Sequence, residues 1–166
     1  MRTAYPIRFN HRPAAVAGWV LCLSLLFAAR VGLGADSAVQ VNDAWVRETV
    51  PGQSVGAAYM RILSNEPVEL IGVESAVSEA AELHQMSMQG GVMKMREIGA
   101  ANVTPGKALK LEPGGAHIML VGVKRPLKVG EGVKLKLTFR RYDGRILAVT
   151  VPARVRSMTA EAKHGH

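Results

Sequence analysis

The chain has 166 residues, with 21 Lys and Arg against 13 Asp and Glu, one Cys and eight Met. That length bounds it to one domain, at most with a tail. A single Cys excludes an internal disulfide framework and any CxxC redox or zinc-thiolate motif, and aromatics at 5% argue against a stacking platform for single-stranded nucleic acid.

Residues 1–35 read as a secretory signal peptide. Arg2, Arg8 and Arg12 precede the first acid, Asp36, and the seventeen residues Pro13 to Ala29 are uncharged and rich in Ala, Val and Leu. A small-residue exit follows at Gly32, Leu33, Gly34 and Ala35. Basic start, apolar middle and small-residue exit are the three parts of an export signal, and cleavage is expected after Gly34 or Ala35. An uncleaved anchor is the competing reading, but the run is at the lower limit for a bilayer span and contains Pro13 and Gly18. Cys22 lies inside the apolar run and is followed by more Leu, so no lipidation is expected there. Four basic residues and no acids lie in this segment, so the net charge falls from +8 to +4 once it is removed. The Cys count falls to zero.

The body, residues 36–156, reads as all-β. No stretch holds a 3.6-residue apolar period for ten residues or more. Short β-branched runs alternate with turn signals instead. The expected strands are Val39–Val46, Gly56–Leu63, Val68–Val77, Ala80–Met88, Val92–Ile98, Ala108–Leu111, Ala116–Val121, Val133–Tyr142 and Ile146–Val155. Between them lie Pro51-Gly52, Asn65-Glu66-Pro67, Gly90-Gly91, Pro105-Gly106, Pro113-Gly114-Gly115, Gly130-Glu131-Gly132 and Asp143-Gly144, all with turn chemistry. Some seven to nine strands in this length fit an antiparallel Greek-key sandwich or barrel. Lys134, Lys136 and Arg140 alternate with Leu135, Leu137 and Phe139, giving that strand one wet and one dry face. From residue 157 to 166 the pattern dissolves into a small, polar, flexible tail carrying Met158, His164 and His166.

Chemistry concentrates between residues 84 and 119. Five of the seven Met and two of the four His that follow the export segment fall there, as His84, Met86, Met88, Met93, Met95, His117 and Met119. Residues two apart in a strand share a face, so His84, Met86 and Met88 point one way, as do His117 and Met119. If Gly90-Gly91 is a two-residue hairpin loop, Gln89 pairs with Val92, Met88 with Met93 and Met86 with Met95, and the thioethers join the face of His84. A three-residue loop would put Lys94 and Arg96 there instead. Thioether is a neutral, soft ligand suited to Cu(I) and poor for Mg²⁺, Ca²⁺ or Zn²⁺. A blue-copper electron-transfer site needs a Cys ligand, and none follows Cys22. Met60, alone in an apolar strand, reads as core, and Met88 and Met93 read either as packing residues or as residues supporting the ligands from behind.

The spacing His84, ten residues, Met95, twenty-one residues, His117, one residue, Met119 resembles the H-x10-M-x21-H-x-M signature of the periplasmic PCu(A)C copper chaperones. The surrounding text is similar too: Asp43-Ala44-Trp45-Val46-Arg47, Gly56-Ala57-Ala58-Tyr59-Met60, Gly91-Val92-Met93-Lys94-Met95-Arg96 and Pro113-Gly114-Gly115-Ala116-His117-Ile118-Met119-Leu120. The resemblance covers residues 39–155. It implies a cupredoxin-like β-sandwich that binds one Cu(I) at an exposed site through His84, Met95, His117 and Met119, with Met86 as an auxiliary ligand. It implies delivery to the dinuclear copper centre of a respiratory cytochrome oxidase, directly or through assembly factors. Family members also carry His/Met-rich extensions for Cu(II), which His164 and His166 resemble in sparse form.

Other functional classes have weaker support. No nucleophile-elbow, phosphate-loop or three-His zinc pattern is present, so an enzyme is not expected. Glu79 and Glu82 near His84 read as solvated edge charges. The basic residues Lys124, Arg125, Lys128, Lys134, Lys136, Arg140 and Arg141 read as solvated faces rather than a nucleic-acid footprint. A copper-storage or uptake protein and a metal-free β-sandwich interaction module are the alternatives. The mature form is expected to be a periplasmic monomer that does not span the membrane.

Overall fold

The computed structural model describes residues 38–157. The expected export signal at 1–35 and the tail histidines His164 and His166 lie outside the described residues. Ten strands are found, and no helix lies among these residues. They are β1 (Val39–Arg47), β2 (Val55–Ser64), β3 (Val68–Ser75), β4 (Ala80–Gln89), β5 (Val92–Glu97), β6 (Ala101–Val103), β7 (Leu109–Leu111), β8 (Ala116–Val121), β9 (Gly132–Arg141) and β10 (Ile146–Arg156).

All nine expected strands are present, with ends displaced by no more than two residues. The expected count of seven to nine is corrected to ten by β6, a three-residue strand that pairs with β3 through Val68↔Val103 and Leu70↔Ala101. Three residues are too few to show an alternation in the sequence.

The strands form one hydrogen-bonded path in the order β5-β4-β8-β2-β1-β10-β9-β3-β6, with β7 beside the far half of β2. Neighbours are antiparallel except β1 and β10, which run parallel with Trp45 opposite Arg154. Inward residues of strands from both ends of this path meet in one core. Leu83 of β4, Ile118 and Leu120 of β8, Met60 and Ile62 of β2, and Leu135, Leu137 and Phe139 of β9 all belong to it. Met60 is therefore the core residue expected. In β9 the alternation holds, with Lys134, Lys136 and Arg140 exposed and Val133, Leu135, Leu137 and Phe139 buried. Each large apolar side chain fully buried in this way contributes roughly 1.5–3 kcal/mol.

A bulge in β1 breaks this alternation to useful effect. Asn42 pairs with Arg61 and Trp45 with Tyr59, so Asp43 and Ala44 oppose the single residue Met60. Asp43 takes a positive φ of 52° to make the turn, a conformation that Asp tolerates better than most residues. Without the extra residue Trp45 would share the inward parity of Val39 and Val41. With it, Val46 faces the core and Trp45 faces outward over Tyr59.

Candidate metal centre

The outer face of the β5-β4-β8-β2 half of the sheet carries the sequence-predicted residues. Gly90 and Gly91 both have positive φ, 58° and 80°, and form the two-residue primed turn that a right-twisted hairpin prefers. The register that follows is Gln89↔Val92, Met88↔Met93 and Met86↔Met95. Met86, Met88, Met93 and Met95 therefore share one face, as the two-residue loop requires.

Strand β8 lies along the other side of β4. His84 is directly opposite His117, and Leu83 opposite Ile118. Because Ile118 and Leu83 point into the core, the two imidazoles point out of it, with ring centroids 6.0 Å apart. Met119 follows on the same face, between Glu82 of β4 and Ala57 of β2.

Met86, Met95, His117 and Met119 line one cleft of about 340 Å³, with Tyr59, Arg47 and Gly114 on its walls. His84 does not line this cleft; it sits beside His117. His84 and His117 are buried, 9% and 7% exposed as residues, whereas Met95 is 51% exposed. The site is thus open on its thioether side and closed around its imidazoles, rather than exposed throughout.

Second partners orient the imidazoles. His84 Nε2 lies 2.9 Å from a Glu82 carboxylate oxygen, and its Nδ1 is buried without a hydrogen-bond partner. His117 Nδ1 lies 3.2 Å from the Gly115 carbonyl oxygen, which leaves Nε2 as its other ring nitrogen. Carboxylate and backbone carbonyl groups commonly fix metal-ligating His in this way. Glu82 is thus engaged with His84, which corrects its reading as a solvated edge charge. Nothing in a single sequence marks this contact, because it depends on the rotamers of neighbours on one strand face.

Two further residues escaped the sequence reading. Tyr59 stacks on Trp45, with centroids 4.4 Å apart, and lies 6.3 Å from the His117 ring. Both are buried, yet neither joins the contiguous cluster between the inward strand faces. Tyr59 forms an apolar wall beside His117, and the β1 bulge turns Trp45 outward to back it. Of the two readings of Met88 and Met93, packing is the one the structure corrects. At 62% and 50% exposure they pack in no core.

Among the described residues no group of three or more His, Cys, Asp and Glu is placed to hold a metal ion. The candidate donors gathered at the cleft are the thioether sulfurs of Met86, Met95 and Met119 and the imidazole of His117, with that of His84 beside it, the set suited to a soft cation. A second cleft, about 380 Å³ and bordered by β3, β6 and β9, is lined by Arg140 and Arg141. These guanidinium groups are ion-paired with Glu69 and Glu66. Arg125 and Lys136 are likewise paired, with Glu131 and Glu74.

Fold and site together define a cupredoxin-like β-sandwich with a sulfur- and imidazole-bearing outer face. The chain belongs to the LpqE-like family, described as “Putative lipoprotein LpqE-like”, whose family model matches residues 39–153. It is 32% identical over 117 residues to “Putative lipoprotein Lxx21020” of Leifsonia xyli subsp. xyli, covering 70% of this chain and 69% of that one. Its structure is similar to the Cu(I) form of DR1885 from Deinococcus radiodurans, with a TM-score of 0.52 and 31% identity over 74% of this chain and 83% of that one. It is also similar in fold to the copper-bound PCuAC domain of PmoF2, with a TM-score of 0.58 and 24% identity over 72% of this chain and 93% of that one.

Proposed function

We propose that this protein is a periplasmic copper chaperone that binds one Cu(I) and delivers it to the copper centre of cytochrome c oxidase. The ligands are His84, Met95, His117 and Met119, with Met86 adjacent as an auxiliary thioether. The observation that carries this reading is the convergence of Met86, Met95, His117 and Met119 on one cleft, with His84 directly opposite His117. The likeness to a Cu(I)-bound solution structure at 31% identity supports it.

Chemistry selects the oxidation state. Thioether sulfur favours Cu(I) over harder cations, and two imidazoles with two thioethers add no charge. The bound ion keeps its +1 charge at a site open on the Met95 side. An incoming thiolate attacks there by associative exchange, forming a copper–sulfur bond as a thioether bond breaks. Transfer is then downhill to a Cys-containing acceptor with no change in oxidation state.

The acceptor is a periplasmic domain of the oxidase or one of its assembly factors. The role is binding and transfer rather than catalysis, in a monomer that engages no nucleic acid. Export to the cell envelope is supported by the family description as lipoproteins. Signal cleavage rather than lipid attachment at Cys22 is our reading of the sequence. His164 and His166 form a secondary Cu(II) tract, which truncation after Arg156 removes.

Competition against a Cu(I) chelator under reducing, anaerobic conditions tests the central site. The wild type takes up one tight equivalent, and the Met95→Ala/Met119→Ala variant loses it. Unchanged affinity in that variant defeats the proposed ligand set. An absence of any thermal shift with Cu(I) would favour a metal-free interaction module instead.

A further inference from the structure

The methionines that the central site does not use are placed in a manner core packing does not explain. Met88 and Met93 are directly paired across the β4-β5 hairpin, next to the Gly90-Gly91 turn. They are 62% and 50% exposed and lie outside the core. Directly opposed residues have Cβ atoms about 4.5–5.5 Å apart, within the span of two thioethers sharing one ion. Two residues further along each strand, about 7 Å away, the next pair is Met86 and Met95. Both of those line the cleft with His117 and Met119.

The hairpin is thus sorted by face. Met86, Met88, Met93 and Met95 occupy one side, and Gln85, Ser87, Lys94 and Arg96 the other. The tip of the methionine side carries sulfur with no carboxylate beside it, so it selects for softness rather than for charge. Exposed apolar side chains are usually scattered singly, whereas these are paired and in register with the pair below.

We infer that Met88 and Met93 form an outer Cu(I) station that loads the central site through Met86 and Met95. The ion is held by two thioethers at the tip. It moves inward as a bond to Met86 or Met95 forms and a bond to Met88 or Met93 breaks. Copper stays Cu(I) throughout, and all four donors are neutral, so the +1 charge is carried along unchanged. A two-thioether site is weaker than one that adds two imidazoles, which gives the step its direction. The inward direction rests on the proposed central site; the outer station rests on the hairpin alone.

Titration of the full protein with Cu(I), followed by the methionine methyl resonances and the His ring resonances, reads both sites. The first equivalent is expected to shift His84, His117, Met95 and Met119. A second, weaker equivalent is expected to shift Met88 and Met93. In the Met88→Leu/Met93→Leu variant the second response is lost and loading of the first slows, while occupancy of the central site at equilibrium is unchanged. Leu keeps the apolar surface at these exposed positions, so a role in protein docking alone would leave loading by a small chelator complex untouched. A second equivalent that is absent from the wild type, or that survives in the variant, overturns the outer station. If Met88 and Met93 respond but the imidazoles do not, the station stands and the central site falls. If neither responds, both fall.

Discussion

The Gly90-Gly91 turn offers the sharpest link between a local backbone choice and metal binding. Both residues have positive φ, and a Cβ placed on either would meet nothing within 4 Å. Replacing both by Ala therefore introduces no clash, only the cost of holding L-residues in the left-handed region. That cost is roughly 1–2 kcal/mol per residue, about 2–4 kcal/mol for the pair. What resists it is small. The pairs Met86–Met95 and Met88–Met93 contribute about 0.2–1 kcal/mol each, and every residue of β5 is exposed, so no core burial holds that strand. The hairpin of Gly90→Ala/Gly91→Ala is expected to open from its tip, releasing Met95 from the cleft. Cu(I) must then re-form the turn as it binds, which lowers affinity by about 30-fold at 2 kcal/mol and by close to about 1,000-fold at 4 kcal/mol. Amide hydrogen exchange should rise in β5 and at the end of β4, while the melting temperature of the core changes little. Gly90→Asn, which tolerates positive φ, should retain both protection and affinity. Retained amide protection together with unchanged chelator competition in the double-alanine variant would refute this coupling.

Two further outcomes follow from particular contacts. Glu82→Ala removes the partner of His84 Nε2, and loss of such an orienting carboxylate typically costs about 10–100-fold in metal affinity. Chelator competition checks this, and a tighter variant would show instead that Glu82 competes with the metal for His84. Glu131 accepts a hydrogen bond from the Lys128 backbone N–H and pairs with Arg125, and both contacts hold its carboxyl below its ordinary value of 4.5. A lowered folded-state value means the contribution is complete above the unfolded value and is lost as pH falls through the folded one. The stability difference between wild type and Glu131→Gln should therefore be flat from about pH 7 to 5 and shrink at lower pH; thermal melts across that range check it, and a difference that widens on acidification contradicts it.

What the sequence made legible was local. The hairpin register needed only a Gly-Gly pair and residues two apart, and the pairings Met88↔Met93 and Met86↔Met95 are those the loop length dictates. The wet and dry faces of β9 needed only alternation. What stayed hidden depended on partners distant in the chain. The parallel pairing of β1 with β10 joins the first and last strands, and no local pattern encodes it. The outward turn of Trp45 needs two β1 residues to oppose Met60, which is visible only once β1 and β2 are aligned. The exposure of Met88 and Met93 is not legible either, because Met is a good core filler and composition alone does not separate a packed thioether from an exposed one.

These two kinds of legibility divide the candidate site. Its imidazoles sit on β4 and β8, backed by Leu83 and Ile118 in the core and oriented by Glu82 and the Gly115 carbonyl. Its outermost thioether, Met95, sits on an edge strand with no buried residue. A fixed pair of nitrogen ligands makes a site selective, because their geometry is settled before the ion arrives. A loosely held sulfur ligand lets an incoming donor displace it without unfolding anything. Four ligands fixed in the core would bind Cu(I) and release it slowly. Four on the edge hairpin would bind it weakly. The division between a packed sheet and a free edge is therefore the physical basis for reading this face as one that hands its ion on.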